Sequence, residues 1–270
     1  MPQRYDGEDM LVRIMFLNQG PRDPNTTDDD VRDIERLLTS YASPGTVIDH
    51  VFTYDFPGAM VHEVMGKVQA LNGLAHVLEA PAIIQRTVWA ADNGYDAVIQ
   101  SNTFDPGVEG GRLAVRIPVI GLMRTALAVA STICDLIAIL GPLESDLPSA
   151  WRSVCAYHMD HRVVGMRALG IYSSDMKFRK AEIFDRTVAL VKELIREKGA
   201  ECIVPLGGKL IPYLVNPDDL QKETGAPVLN TKAIGIQFAE MCIRQKIVHS
   251  PLAYPVSPAK YEHFLQKLHG

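Results

Sequence analysis

Three consecutive polar residues, Ser101-Asn102-Thr103, follow a short apolar run, Ala97-Val98-Ile99, and precede Asp105-Pro106-Gly107. The apolar run reads as a buried strand, and Asp-Pro-Gly as the turn into a helix. In open α/β sheets, ligands bind just beyond the carboxyl ends of strands. Two hydroxyls, an amide and the backbone N–H groups of a helix start suit an anion such as a carboxylate. The same residue types also cap helices, and that is the structural alternative for all three. A nucleophilic Ser101 needs an adjacent base, and no histidine neighbours it in sequence. A hydrogen-bond donor is the role that fits it better.

Other residues at strand ends extend this set. Asn18 and Gln19 close the first strand. Tyr54 and Asp55 close the second, where Asp55 is either a general base or a turn residue before Pro57. Gly141 and Ser145 hold the equivalent place in the second half of the chain and suit an anion at a helix start. Lys209 follows Gly207 and Gly208. Desolvated in a cleft, a lysine acts as a base or a Schiff-base nucleophile; on the surface it is only a solvated charge. His158 and His161 are metal-type residues, but no third ligand accompanies them, and a helix C-terminus attracts such cations anyway.

The elements that must position these residues alternate along the chain. Leu11–Leu17, Val47–Tyr54, Ala97–Ile99 and Pro118–Leu122 read as strands, and helical spacing fills the gaps. One helix starts at Thr26-Thr27-Asp28. A long helical stretch through Val64, Val68, Leu71 and Leu74 breaks near Pro81 and resumes to about Asp92. A short helix spans Gly107–Leu113. From Thr125 a second series begins. Its helices are predicted at Thr125–Ile133, Ser145–Tyr157, Phe178–Lys198, Leu210–Leu214 and Thr231–Arg244. Its strands are predicted at Leu136–Leu140, Val163–Leu169, Cys202–Leu206 and Pro227–Leu229. Ile117-Pro118-Val119-Ile120-Gly121 is echoed by Ala226-Pro227-Val228-Leu229-Asn230, so the chain reads as a two-fold duplication of βα units. Alternating strands and helices imply parallel sheets covered on both faces, with a ligand cleft between two similar lobes.

Composition is that of an ordinary globular chain: 270 residues, 47% hydrophobic and 22% charged. A net charge of -5 without a basic stripe argues against nucleic acid as a partner. Apolar stretches fall short of the roughly 20 residues needed to cross a bilayer, and the acidic start has no signal-peptide core. The four cysteines, Cys134, Cys155, Cys202 and Cys242, form no CxxC or zinc spacing. Reduced thiols and a cytoplasmic location are the simplest expectation.

Gly94-Tyr95-Asp96-Ala97-Val98-Ile99, leading into Asp105-Pro106-Gly107, resembles the hydantoin and allantoin racemase branch of the aspartate/glutamate/hydantoin racemase superfamily. Ser101-Asn102-Thr103 is similar to the Cys-Asn-Thr of that superfamily's first active-site loop. Glu201-Cys202-Ile203-Val204-Pro205-Leu206-Gly207-Gly208 is similar to its second loop, where Leu-Gly-Cys is usual. The resemblance covers nearly the whole chain in element order. It implies an α/β fold of two pseudo-symmetric Rossmann-like lobes, each a parallel four-stranded sheet flanked by helices, with the active-site cleft between them. One lobe would comprise residues 1–119 plus 231–270, and the other 120–230. It also implies chemistry without cofactor or metal, on a small carboxylate or cyclic amide, by a homo-oligomer. Two cysteines, one per lobe, would serve as thiolate base and thiol acid. Asn102 and Thr103 match the carboxylate-binding positions. Here the sequence departs from the pattern: Ser101 and Gly208 stand where the two cysteines belong. Cys202, the nearest thiol, lies in a strand, where a buried cysteine is inert packing.

Three readings follow. The first is a cofactor-independent isomerase acting at a carbon next to a carbonyl, in a small acid or hydantoin-like ring. The second, prompted by the missing thiols, is a hydrolase or decarboxylase-like lyase using an oxyanion cradle from Ser101, Thr103 and backbone N–H groups. The third is a non-catalytic protein that binds small acids.

Overall fold

Successive residues of the first strand, β1 (Val12–Leu17), face two separate apolar layers, as the period of two in a strand requires. Ile14 and Phe16 pack with Ile48, Ile99, Leu38 and Ile236, whereas Met15 and Leu17 pack with Val98, Ile83 and Ala90. A strand apolar on both faces belongs inside a parallel sheet. A computed structural model, describing residues 11–22, 26–53, 72–171 and 176–256, with the side chains of residues 72, 73 and 75 left aside, places β1 there. It pairs in parallel with β2 (Thr46–Val51) and β3 (Ala97–Gln100), and β4 (Val119–Gly121) adds to β3, giving the order β2-β1-β3-β4. Among the described residues, α1 (Asp28–Thr39), α2 (Asn72–Asp92) and α3 (Val108–Ala114) connect these strands. Thr27 starts α1 with a capping box, its hydroxyl accepting from Asp30 N while Asp30 Oδ2 accepts from Thr27 N.

The second sheet repeats the plan. β5 (Ile137–Gly141) lies between β6 (Val163–Ala168) and β7 (Cys202–Pro205), all parallel. Val228 continues the sheet through a single bridge to Ile203, so the expected fourth strand at Pro227–Leu229 is reduced to one pairing. Among the described residues, α4 (Leu122–Ile133), α5 (Leu147–Ala156), α6 (Lys180–Lys198), α7 (Pro217–Thr224) and α8 (Thr231–Arg244) belong to this half and its exit. Ala138, Leu140 and Ile203 face Ile183, Val191 and Leu194 of α6; Ile137, Ile139 and Val204 face Met123, Leu127 and Val154 of α4 and α5. Each fully buried aliphatic side chain contributes about 1.5–3 kcal/mol, so these layers fix the sheet on both sides. Helix α8 returns to the first sheet, where Ile236 and Ala239 join the layer over Ile14 and Ile99.

Local differences from the sequence reading have physical causes. Pro81 does not break α2, which runs unbroken from Asn72 to Asp92. Proline removes one backbone donor there, and packing of Ile83 and Ala90 on the sheet outweighs that loss. Residues 210–214 form turns, not the predicted helix, with Leu214 N and Val215 N both donating to Leu210 O. The helix of that region lies later: Asn216 caps α7, Pro217 occupies its first position and Gly225 ends it in the left-handed conformation. The predicted helical residues Val64, Val68 and Leu71 lie outside the described residues. No described helix is long and apolar enough to cross a membrane.

Candidate active site

The loops after β3 and β7 leave the two sheets and meet. Thr103 is fully buried, and its Oγ1 accepts a hydrogen bond from Gly207 N at 2.7 Å. One residue from each half thus ties the strand-end loops together. Gly207 adopts φ +77°, and a Cβ there would lie 3.0 Å from Pro142 Cγ, so the loop needs glycine for both conformation and room. Gly141 is buried just before Pro142. Ser145 is exposed, in a 3-10 turn spanning Glu144–Asp146.

On the first loop, the polar groups hold one another. Ser101 Oγ donates to Asn18 Oδ1 at 3.3 Å. Asn102 Nδ2 donates to Gln19 Oε1 and lies 3.3 Å from His76 Nε2, while Asn102 Oδ1 accepts from Phe104 N at 2.9 Å. Asn102 N donates to Gln100 Oε1. Gln100 Nε2 is buried without a hydrogen-bond partner among the described residues. Of the sequence-predicted set, Asn18, Gln19, Ser101, Asn102, Thr103, Gly207 and Gly208 therefore come together. Tyr54 and Asp55 lie outside the described residues.

Asp105 sets the far side of the first loop. Its carboxylate is buried and accepts from Met123 N and Arg124 N, each at 3.0 Å, at the start of α4. Tyr157 OH, at the end of α5, donates to the same carboxylate at 3.0 Å. Burial raises the Asp105 pKa, and the two backbone donors and the tyrosine work against that rise. The Asp-Pro-Gly turn is thus a joint between the first loop and the helices of the second half.

The lysine role expected at position 209 needs correction. Lys209 is exposed and lacks the desolvation that role requires. The buried lysine is Lys232, the second residue of α8, at 2% exposure. Its Nζ donates to Ser101 O at 2.7 Å. A Cβ built on Gly208 would lie only 2.5 Å from that Nζ, so the amine sits beside both loops. The rings of Phe16 and Tyr213 flank it at 5.1 and 5.2 Å. Among the described residues, no carboxylate pairs with it, and burial pulls its pKa down from 10.5 to about 7. His50 is pushed down to about 4, by burial first and by the Lys232 charge second. The sequence offered one signal for Lys232: a lysine in the first turn of a helix whose N-terminus disfavours a cation.

All four thiols lie elsewhere. Cys202 is fully buried in β7, where burial raises its pKa to about 12. Cys134 follows α4, Cys155 is exposed on α5, and Cys242 is buried in α8. His158 and His161 are exposed in the turns after α5, and the described residues hold no cluster of three or more metal-type side chains.

Two doubly covered parallel sheets, with strand-end loops meeting between them, define a two-lobed α/β enzyme of the racemase type. The Asp/Glu/Hydantoin racemase family profile matches residues 23–239. The chain belongs to that family and is an enzyme of the isomerase class. A hydantoin racemase from Pseudomonas sp. (strain NS671) is 24% identical over 232 residues, covering 86% of each chain. A hydantoin racemase from Rhizobium meliloti is 27% identical over 172 residues, covering 63% of this chain and 69% of that one. Among solved structures, allantoin racemase from Pseudomonas fluorescens aligns with a TM-score of 0.78 at 22% identity, covering 92% of this chain and 98% of the other. Arylmalonate decarboxylase aligns at 0.56 and 14% identity, covering 86% and 92%, and so shares the fold.

Proposed function

We propose that the protein inverts, without a cofactor, a carbon next to a carbonyl in a hydantoin-like ring or small carboxylate. The observation that carries this reading is the meeting of the two strand-end loops, tied by Thr103 and Gly207, at the place where α/β sheets bind ligands. The hydantoin racemase relatives support a cyclic amide as substrate. In this reading the Asn18, Gln19, Ser101 and Asn102 side chains orient the ring through its N–H and C=O groups. Loop glycines 207 and 208 let it approach the backbone. Residues 1–119 with 231–270, and 120–230, are the two lobes that enclose it. A cytoplasmic homo-oligomer belongs to the same reading; light scattering of the purified protein tests the assembly.

The direct test follows single-enantiomer 5-benzylhydantoin and allantoin by loss of optical rotation and by α-deuterium incorporation in D₂O. The expected result is turnover above the spontaneous rate for at least one of them. No acceleration of either, with a panel of small amino and dicarboxylic acids equally inert, would sink the reading.

A lyase or hydrolase is the second reading, favoured by one observation: neither loop carries a thiol. It expects decarboxylation of an arylmalonate or opening of the ring, lost in Ser101→Ala. Undiminished turnover in that variant removes Ser101 from the chemistry.

A further inference from the structure

A proton transfer at carbon needs a group that changes protonation near ambient pH and reaches the reacting atom. The side chains at the tips of the two loops do not provide one. Ser101 Oγ is an ordinary hydroxyl engaged with Asn18 Oδ1, and Gly208 has no side chain. Cys202 is sealed in β7. Among the described residues, the strongly basic atom placed against both loops is Lys232 Nζ, 2.7 Å from Ser101 O and 2.5 Å from where a Cβ of Gly208 would stand. A Cβ at position 208 would stand 2.5 Å from Nζ and 2.9 Å from Cε, so the amine occupies room that glycine leaves. A lysine serving only as a buried cation would be expected to find a carboxylate, since an unpaired buried charge is costly. Among the described residues, Lys232 Nζ has one carbonyl within hydrogen-bond distance and two aromatic rings near it.

We propose that Lys232 is the proton-transferring residue of this site, its amine reaching the substrate from between the two loops. The proposal rests on the reading that the enzyme acts at a carbon next to a carbonyl. The neutral amine takes the proton from that carbon and becomes an ammonium. The electron pair of the broken C–H bond moves into the carbonyl, giving an enolate. The planar enolate then turns over in the cleft, the ammonium delivers a proton to its opposite face, the enolate electrons reform the C–H bond with inverted configuration, and the amine is neutral again. Nothing is oxidised or reduced, and no group is lost.

The groups facing Lys232 are consistent with a neutral amine. His50 of β2 is held neutral, and burial keeps the Tyr213 phenol protonated. Beyond Asn102 stands His76 of α2. Lys209 is exposed next to Gly208. On α8 itself, Glu240 is occupied by Ser43 and Thr46. The amine is basic and unprotonated above about 7, so kcat/KM should rise with pH through that value.

The experiment compares the wild-type protein with K232M and K232Q in the deuterium-exchange and optical-rotation assays above. K232Q keeps an N–H donor for Ser101 O but has no basic nitrogen to accept a proton. If Lys232 transfers the proton, kcat falls about 100-fold or more in both variants, with KM changed far less. If the lysine only supports the loop, K232Q retains kcat within a few-fold, and the proposal is overturned. A wild-type protein inert toward every substrate sinks the parent reading, and this proposal with it; an active wild type with active variants sinks the proposal alone. A measurement on the unaltered protein covers the case in which both variants misfold. The ¹³Cε resonance of Lys232 should titrate near 7 and shift when 5-benzylhydantoin is added. A midpoint near 10.5, or no response to the hydantoin, rejects the assignment.

Discussion

At the scale of single residues, a buried amine has a thermodynamic signature apart from catalysis. Unfolded, Lys232 keeps its proton up to about 10.5; folded, it releases it near 7. Between those values the unfolded chain binds more protons, so this residue makes the fold more stable as pH rises. Urea unfolding from pH 7 to 10 should show that gain in the wild type, and a flatter profile in Lys232→Met. Equal slopes would mean that the folded protein does not depress the lysine pKa. The residues legible in sequence were those whose role is local: Ser101, Asn102 and Thr103 at the end of a strand, and Asp105-Pro106-Gly107 as a turn. Of the two readings of Lys209, exposure favours the solvated charge, because adjacency to a loop glycine says nothing about solvent access. Lys232 was passed over because it is near the site only in space.

At the scale of elements, α8 is the piece that carries Lys232 inward, and a buried carboxylate fixes how α8 sits. Glu240, 1% exposed, accepts from Ser43 N at 2.8 Å, from Ser43 Oγ at 2.7 Å and from Thr46 Oγ1. Those donors lie just before β2 and at its first residue, so the bonds lock α8 to the first sheet. Glu240→Ala would strand several donors at once and should cost about 2–3 kcal/mol in denaturant unfolding. Glu240→Gln, which keeps an acceptor, should cost less. A loss in the alanine variant of under about 0.5 kcal/mol would show that apolar packing alone seats the helix. Helix and strand identities were largely visible beforehand through their periods. The exceptions, an unbroken α2 across Pro81 and turns in place of a helix at 210–214, arose where local preference and tertiary packing disagreed.

At the scale of the whole molecule, the two halves communicate through few polar joints. Thr103 Oγ1 holds Gly207 N, and Tyr157 OH holds the Asp105 carboxylate. Thr103→Val preserves shape but removes the acceptor between the loops. It should lower stability by only about 1 kcal/mol. It should also reduce kcat/KM by about tenfold, because misplaced groups lose rate steeply. Unchanged kinetics would show that the loops hold their places without this bond.

The sequence by itself determined the class of fold and the location of the first loop, because strand and helix periods and turn residues are written in neighbouring positions. Its two-fold echo also announced a duplicated plan, which the repeated strand order β2-β1-β3-β4 and β6-β5-β7 carries out. Only the tertiary structure decided which basic group stands at the site. Lys232 meets Ser101 across 131 positions, through a helix docked on a distant sheet and a glycine that leaves room for its amine. Desolvation depends on everything packed around a side chain, and no short stretch of sequence encodes that.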